Sequence, residues 1–115
     1  MKVKRSLRIA ELLKRDISGI IATRVRDSLV KSVLITYVKV SDDLKHARIY
    51  YRTLQHENEL ADIDMALVKV TNFLRLELGK MTNLRYVPEL KFFYDNVFDE
   101  ANRIDSLLEK LKEED

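Results

Sequence analysis

Between residues 5 and 26, apolar side chains fall at Ile9, Leu12, Leu13, Ile17, Ile20, Ile21 and Val25. Steps of three and four place them along one side of a helix, because 3.6 residues complete a turn. Arg5, Arg8, Lys14 and Arg15 lie largely off that stripe, on the side left to solvent or a partner. Gly19 falls inside this helix, where it costs about 1 kcal/mol relative to Ala and leaves room for close packing.

The period then changes from 3.6 to 2. VLITYVKV, residues 33–40, is rich in β-branched and aromatic residues and reads as a strand, followed by a turn at SDDLK, residues 41–45. HARIYYRT, residues 46–53, alternates cleanly. Ala47, Ile49, Tyr51 and Thr53 share one face, while His46, Arg48, Tyr50 and Arg52 form a polar, basic outer face.

From Glu57 to Leu78 the helical period returns through Leu60, Ile63, Leu67, Val70, Leu74 and Leu78, with Gly79 placed to end it in a left-handed cap. A loop then leads to Pro88 and a strand from Glu89 to Tyr94; lacking an N–H, proline suits the entry to a strand. Alternation splits the aromatics of TNLRYVPELKFFYDN, residues 82–96: Leu90, Phe92 and Tyr94 share one face and Phe93 takes the other. On this reading the stretch is a structural junction rather than a base-stacking platform, with Leu84, Leu90 and Phe92 in the core. Ile104, Leu107, Leu108 and Leu111 mark a short tail helix with a frayed acidic end.

The order predicts an α+β two-layer domain: a hairpin, a third strand reached through a helical crossover, and all helices on one sheet face. Residues 1–98 form the domain, and residues 99–115 a partly mobile amphipathic tail. At 115 residues, 46% apolar and 35% charged, the chain can bury a core without cross-links and has a globular composition. It contains no cysteine, so disulfides and thiolate metal sites are excluded. No apolar run approaches the roughly 18–20 residues of a membrane span, and the basic N-terminus lacks the apolar block of a signal peptide. The chain reads as cytoplasmic.

The net charge of +2 conceals an asymmetry. Residues 1–35 carry nine basic and three acidic side chains, residues 36–98 nine of each, and residues 99–115 three basic and seven acidic. A basic first third suits a polyanion, since cations that neutralise phosphates release condensed counterions; it also suits a well-solvated helix.

Catalytic chemistry finds little support. His46 falls on the exposed face of a strand and His56 in a loop, neither at metal-ligand spacing. Asp42 and Asp43 suit a turn, and Asp62 and Asp64 the start of a helix, where negative charge complements the dipole. With two glycines in the chain there is no phosphate-binding loop. No catalytic residue, metal, cofactor or small-molecule substrate is expected.

VKVSDDLKHARIYY, residues 38–51, resembles the V-x-V-S-x-D-L-x-x-A-x-V-Y hairpin of the ribosome-binding factor A family. NFLRLELGKMTNLRYVPELKFFYDN, residues 72–96, is similar to that family's F-x-R-x-x-L…L-R-x-x-P-E-L-x-F-x-x-D, with Phe73, Arg75, Leu78, Leu84, Arg85, Pro88, Glu89, Leu90, Phe92 and Asp95 at matching positions. The resemblance spans roughly residues 4–108. It implies a type II KH-like domain in the order α-β-β-α-kink-α-β, a monomer with no enzymatic activity. It further implies binding to the immature bacterial 30S subunit and its 16S rRNA, help in late 30S maturation and 16S rRNA processing, and a link to cold adaptation.

KH domains clamp backbone with a G-x-x-G loop, which this family replaces by an alanine-x-glycine kink. Here the kink maps to Val70, Thr71 and Asn72. Val70 and Asn72 depart from the family's alanine and glycine. Periodicity alone carries one helix through this point; with the resemblance added a break is expected near Asn72, since asparagine tolerates the left-handed conformation best after glycine. The RNA contacts this implies are Arg5, Arg8, Lys14 and Arg15 on the first helix, with Lys69, Val70, Thr71, Asn72, Arg75, Lys80 and Arg85 around the kink and loop. Arg85 could equally pair with Glu89 or cap a helix, and Arg75 could pair near Glu77 or lay its stem on the core edge. A helix-turn-helix DNA-binding protein centred on Asn72, or a protein-interaction module using Tyr50 or the tail, are the alternatives.

Overall fold

A computed structural model describes residues 4–54 and 57–96. The elements are α1 (Arg5–Arg24), α2 (Ser28–Lys31), β1 (Val33–Val40), β2 (His46–Thr53), a single 3-10 turn (Glu57–Glu59), α3 (Leu60–Met81) and β3 (Glu89–Tyr94). His56 and the expected tail helix with Ile104, Leu107, Leu108 and Leu111 lie outside the described residues.

β2 is the central strand. β1 pairs with it antiparallel and β3 parallel, giving the order β1-β2-β3. The parallel pairing follows from α3, which returns the chain to the start of β2 before β3 begins. α1 packs on β1, α3 on β3, and the two helices touch each other, so one sheet face is covered. The core between the layers joins Leu13, Ile17 and Ile20 of α1 to Ile49 and Tyr51 of β2 and Ile63, Leu67, Leu74 and Leu78 of α3. Of the stripes expected on the two long helices, Ile9, Leu13, Ile17, Ile20 and Ile21 of α1 and Ile63, Leu67, Leu74 and Leu78 of α3 are buried, while Leu12, Leu60 and Val70 are half-buried. Leu90 is buried as expected, whereas Leu84 and Phe92 are only half-buried against the core.

Three local expectations need correction. α3 shows no break at Asn72: it is helical from Leu60 to Met81, and Leu44 is the one non-glycine residue with positive φ among those described. Val70 and Asn72 are both acceptable inside a helix, Val70 packs on the core, and the Thr71 hydroxyl bonds the Leu67 carbonyl at 2.7 Å within the same helix. A helix-turn-helix reading loses its turn for the same reason. Gly79 does not end the helix either; α3 continues to Met81, where the backbone N–H and hydroxyl of Thr82 both donate to the Leu78 carbonyl, at 3.0 and 2.7 Å. At Gly19 an added Cβ would meet nothing within 4 Å, so this glycine permits no close approach to the rest of the fold.

α2 carries too few residues to show a period. Asp27 caps it, accepting from the N–H groups of Leu29 and Val30 at 2.9 and 3.2 Å. β1 contains a bulge at Thr36, between the Ile35–Tyr51 and Tyr37–Tyr50 pairs. The Thr36 hydroxyl reaches the Asp95 carboxylate at 2.6 Å, spanning β2.

Candidate nucleic-acid interface

α1 is amphipathic in charge as well as in hydrophobicity. With Ile9, Leu13, Ile17 and Ile20 turned to the sheet, Arg5, Arg8 and Arg15 are exposed and Lys14 is half-buried. Arg15 is partly neutralised by Asp16, 3.1 Å away. Among the described residues Arg5, Arg8 and Lys14 make no ion pair, which leaves their charge available to an external anion.

The start of α1 meets the hairpin turn and the loop before β3 at a cleft of about 790 Å³. Arg5, Arg75 and Arg85, from three separate segments, line it together with the acidic Asp43 and Glu89. Glu89 faces His46 at 3.6 Å. Asp43 accepts from the Ser41 hydroxyl at 2.5 Å and from the Lys45 N–H at 3.0 Å, and these bonds hold its carboxyl below the ordinary carboxylate range. Leu44, next to it, has φ of 64°, a conformation in which a leucine is strained.

Arg75 has a structural task in this cleft. Its Nε donates to the Pro88 carbonyl at 3.2 Å and its Nη2 to the Val87 carbonyl at 3.0 Å, tying α3 to the loop that feeds β3. Arg85 pairs with neither Glu89 nor a helix end; its guanidinium lies over the Tyr86 ring, 5.5 Å from the centroid.

On α3, Lys69 and Asn72 are exposed. In an unbroken helix the N–H groups of Val70, Thr71 and Asn72 are bonded four residues back, so this segment presents side chains rather than backbone donors. Lys80 lies 3.6 Å from Glu77, a buried carboxylate that also receives Arg24 from the end of α1. The Arg24–Glu77 link between helices had no local signal in the sequence.

Thr71 and Asn72 do line a groove of about 550 Å³ with Lys91, Phe92 and Phe93 of β3. Lys91 and Phe93 were missing from the sequence-based set, although alternation along β3 placed Phe93 on the outer face. Among the described residues no three His, Asp or Glu side chains cluster to hold a metal ion, and no helix is long and apolar enough to cross a membrane.

The family model for ribosome-binding factor A matches residues 5–108. The ribosome-binding factor A of Syntrophobacter fumaroxidans is 37% identical over 113 residues, covering 96% of this chain and 97% of that protein; the one from Coxiella burnetii is 39% identical over 113 residues, covering 97% and 94%. In structure, the chain is similar to crystalline ribosome-binding factor A from Thermus thermophilus, with a TM-score of 0.68 at 20% identity, covering 77% of this chain and 93% of that one. A Thermus thermophilus ribosome-binding factor A homology model fitted into the cryo-EM map of a 30S complex aligns with a TM-score of 0.61 at 20% identity, covering 76% and 91%. The mixed three-stranded sheet with its helices is the KH-like α+β arrangement shared with these structures. With the family match covering nearly its whole length, this chain belongs to the ribosome-binding factor A family.

Proposed function

We propose that this chain binds the immature small ribosomal subunit in the bacterial cytoplasm, contacting 16S rRNA, and assists late subunit maturation and rRNA processing as a monomer without catalysing a reaction. The link to growth in the cold belongs to the same reading. The observation that carries it is the family match over residues 5–108, supported by a Thermus thermophilus relative fitted into a 30S complex. The surface best suited to phosphate is the outer side of α1, with Arg5, Arg8, Lys14 and Arg15, continued into the cleft by Arg85. On α3, Asn72 lines the second groove and Lys69 is exposed on the same helix. Contacts of this kind position a protein on RNA without reading sequence.

Co-sedimentation with purified immature subunits over a salt series tests the proposal. Binding should weaken as salt rises, and the double variant Arg8→Glu, Arg15→Glu should bind at least tenfold more weakly at low salt. Parent protein that fails to sediment with subunits would overturn the function; equal binding by the double variant would overturn this choice of surface.

A further inference from the structure

The sheet face turned away from α1 and α3 carries a pattern the fold does not require. Strand register sets Lys39 of β1, Arg48 of β2 and Lys91 of β3 side by side in one row across the sheet. All three are exposed, and among the described residues none of these side chains has a hydrogen-bond or ion-pair partner. Neighbouring strands are about 4.8 Å apart, so like charges placed directly opposite one another repel and destabilise the sheet. The next row is Tyr37, Tyr50 and Phe93, with ring centroids separated by 5.9 and 5.7 Å and planes tilted by 39° and 32°. Tyr37 is 53% exposed and Phe93 41%, so two of the three rings leave much of their area in water.

We propose that this face binds single-stranded RNA, with phosphates along Lys39, Arg48 and Lys91 and bases stacked on Tyr37, Tyr50 and Phe93. Two residues along a strand separate the rows by about 6.6 Å, which lets one nucleotide place its phosphate on the first and its base on the second. Aromatic platforms beside cations bind single strands because every base has a π-face, whereas a duplex keeps its base faces stacked inside. The three unpaired cations favour a polyanion, since a neutral protein surface would bury like charges without compensation. The nearby carboxylates do not cancel the row: Glu89 faces His46, and Asp95 takes the Thr36 hydroxyl. Lys91 and Phe93 also line the groove with Thr71 and Asn72, so the platform continues around the β3 edge toward α3. This inference rests on the reading that the chain contacts rRNA, and it assigns a second RNA surface to it.

The test measures binding of the full chain to a fluorescent single-stranded oligouridylate and to an RNA duplex of equal length over a salt series, alongside subunit co-sedimentation. The single strand should bind more tightly than the duplex. Tyr37→Ala and Phe93→Ala should each weaken single-strand binding about tenfold with little change in salt slope. Lys39→Gln and Lys91→Gln should each lower the slope of log affinity against log salt by about 0.7, while Lys31→Gln in α2, away from these rows, serves as a charge control. Single-strand affinity unchanged in all four sheet variants overturns the inference, and if the parent still sediments with subunits the proposed function survives that result. Sheet variants that lose subunits when the parent itself binds no oligonucleotide would assign the face to a ribosomal protein and also overturn it.

Discussion

Replacing Tyr51 by phenylalanine should remove one source of alkaline destabilisation and so reverse the stability order of parent and variant at high pH. Tyr51 lies on the inner face of the central strand, fully buried, with its ring edge-on to Tyr94 at 5.8 Å and its hydroxyl donating to the Asp64 carboxylate of α3. Burial, and then the bond and negative charge of Asp64, push its ionisation well above the ordinary 10.0. The folded state therefore keeps the phenol proton at pH values where the unfolded chain releases it. This contribution to stability is complete below pH 10 and declines above it, by about 1.4 kcal/mol per pH unit, so roughly 2 kcal/mol is gone by pH 11.5. A phenylalanine side chain cannot titrate, and the Tyr51→Phe variant loses only the hydrogen bond. A bond to a carboxylate contributes about 1.5–3 kcal/mol when sheltered; Asp64 is exposed and rehydrates, so about 1 kcal/mol is expected at pH 7. The parent should thus be the more stable protein at neutral pH and the less stable one at pH 11.5, with the curves crossing between about pH 10.5 and 11. Urea unfolding followed by far-UV circular dichroism at constant ionic strength measures both curves. Parallel curves would refute the claim that the Tyr51 hydroxyl is buried against a carboxylate.

Two other substitutions probe the long helix. Asn72→Ala should raise stability by about 0.5 kcal/mol in thermal unfolding, because Ala is the better residue in a continuous exposed helix; a loss would indicate a special backbone conformation at Asn72. Arg75→Ala should cost about 2 kcal/mol, since two charge-assisted bonds to the Val87 and Pro88 carbonyls are lost from a half-buried site. Arg75→Lys should recover less than half of that in urea unfolding, because an ammonium lacks the planar fork, and full recovery would show that charge alone matters there.

The strands and the stripes of the two long helices were legible because each is set by local periodicity against a single buried layer. The third strand begins at Glu89 as expected because Pro88 fixes its entry, and Pro88 is itself fully buried. What the sequence did not disclose depended on partners far along the chain. Nothing around residue 77 marks Glu77 as the acceptor for Arg24, 53 residues away. Gly79 and Asn72 misled for the opposite reason: both are residues that permit a left-handed conformation, and neither is held in one. A permissive residue becomes a cap or a kink only where surrounding contacts require it. Leu44 makes the same point in reverse, adopting φ of 64° without a glycine's freedom because the Ser41–Asp43–Lys45 bonds close the hairpin around it.

The bulge at Thr36 ties the fold to the outer face of the sheet. In VLITYVKV the inward residues are Val33 and Ile35, then Val38 and Val40, so the buried set changes from odd to even positions across residues 36–37. That change of parity shows in the burial along β1 and marks an inserted residue; in the sequence Leu34 and Tyr37 are apolar as well and conceal it. Without it the pleat would send Tyr37 inward with Ile35, bring Val38 outward and turn Lys39 toward the core, because a slip of one residue exchanges the faces. A bulge leaves part of the ladder unpaired, and here the Thr36 hydroxyl offsets some of that loss by donating its one hydrogen to the Asp95 carboxylate at 2.6 Å, with the Tyr50 carbonyl the alternative acceptor at 3.2 Å. One extra residue thus brings Tyr37 opposite Tyr50 and Lys39 opposite Arg48 while Val38 and Val40 stay buried. The inner layer could be built from a regular strand of another sequence; the two three-residue rows of the outer face, with this β1, could not.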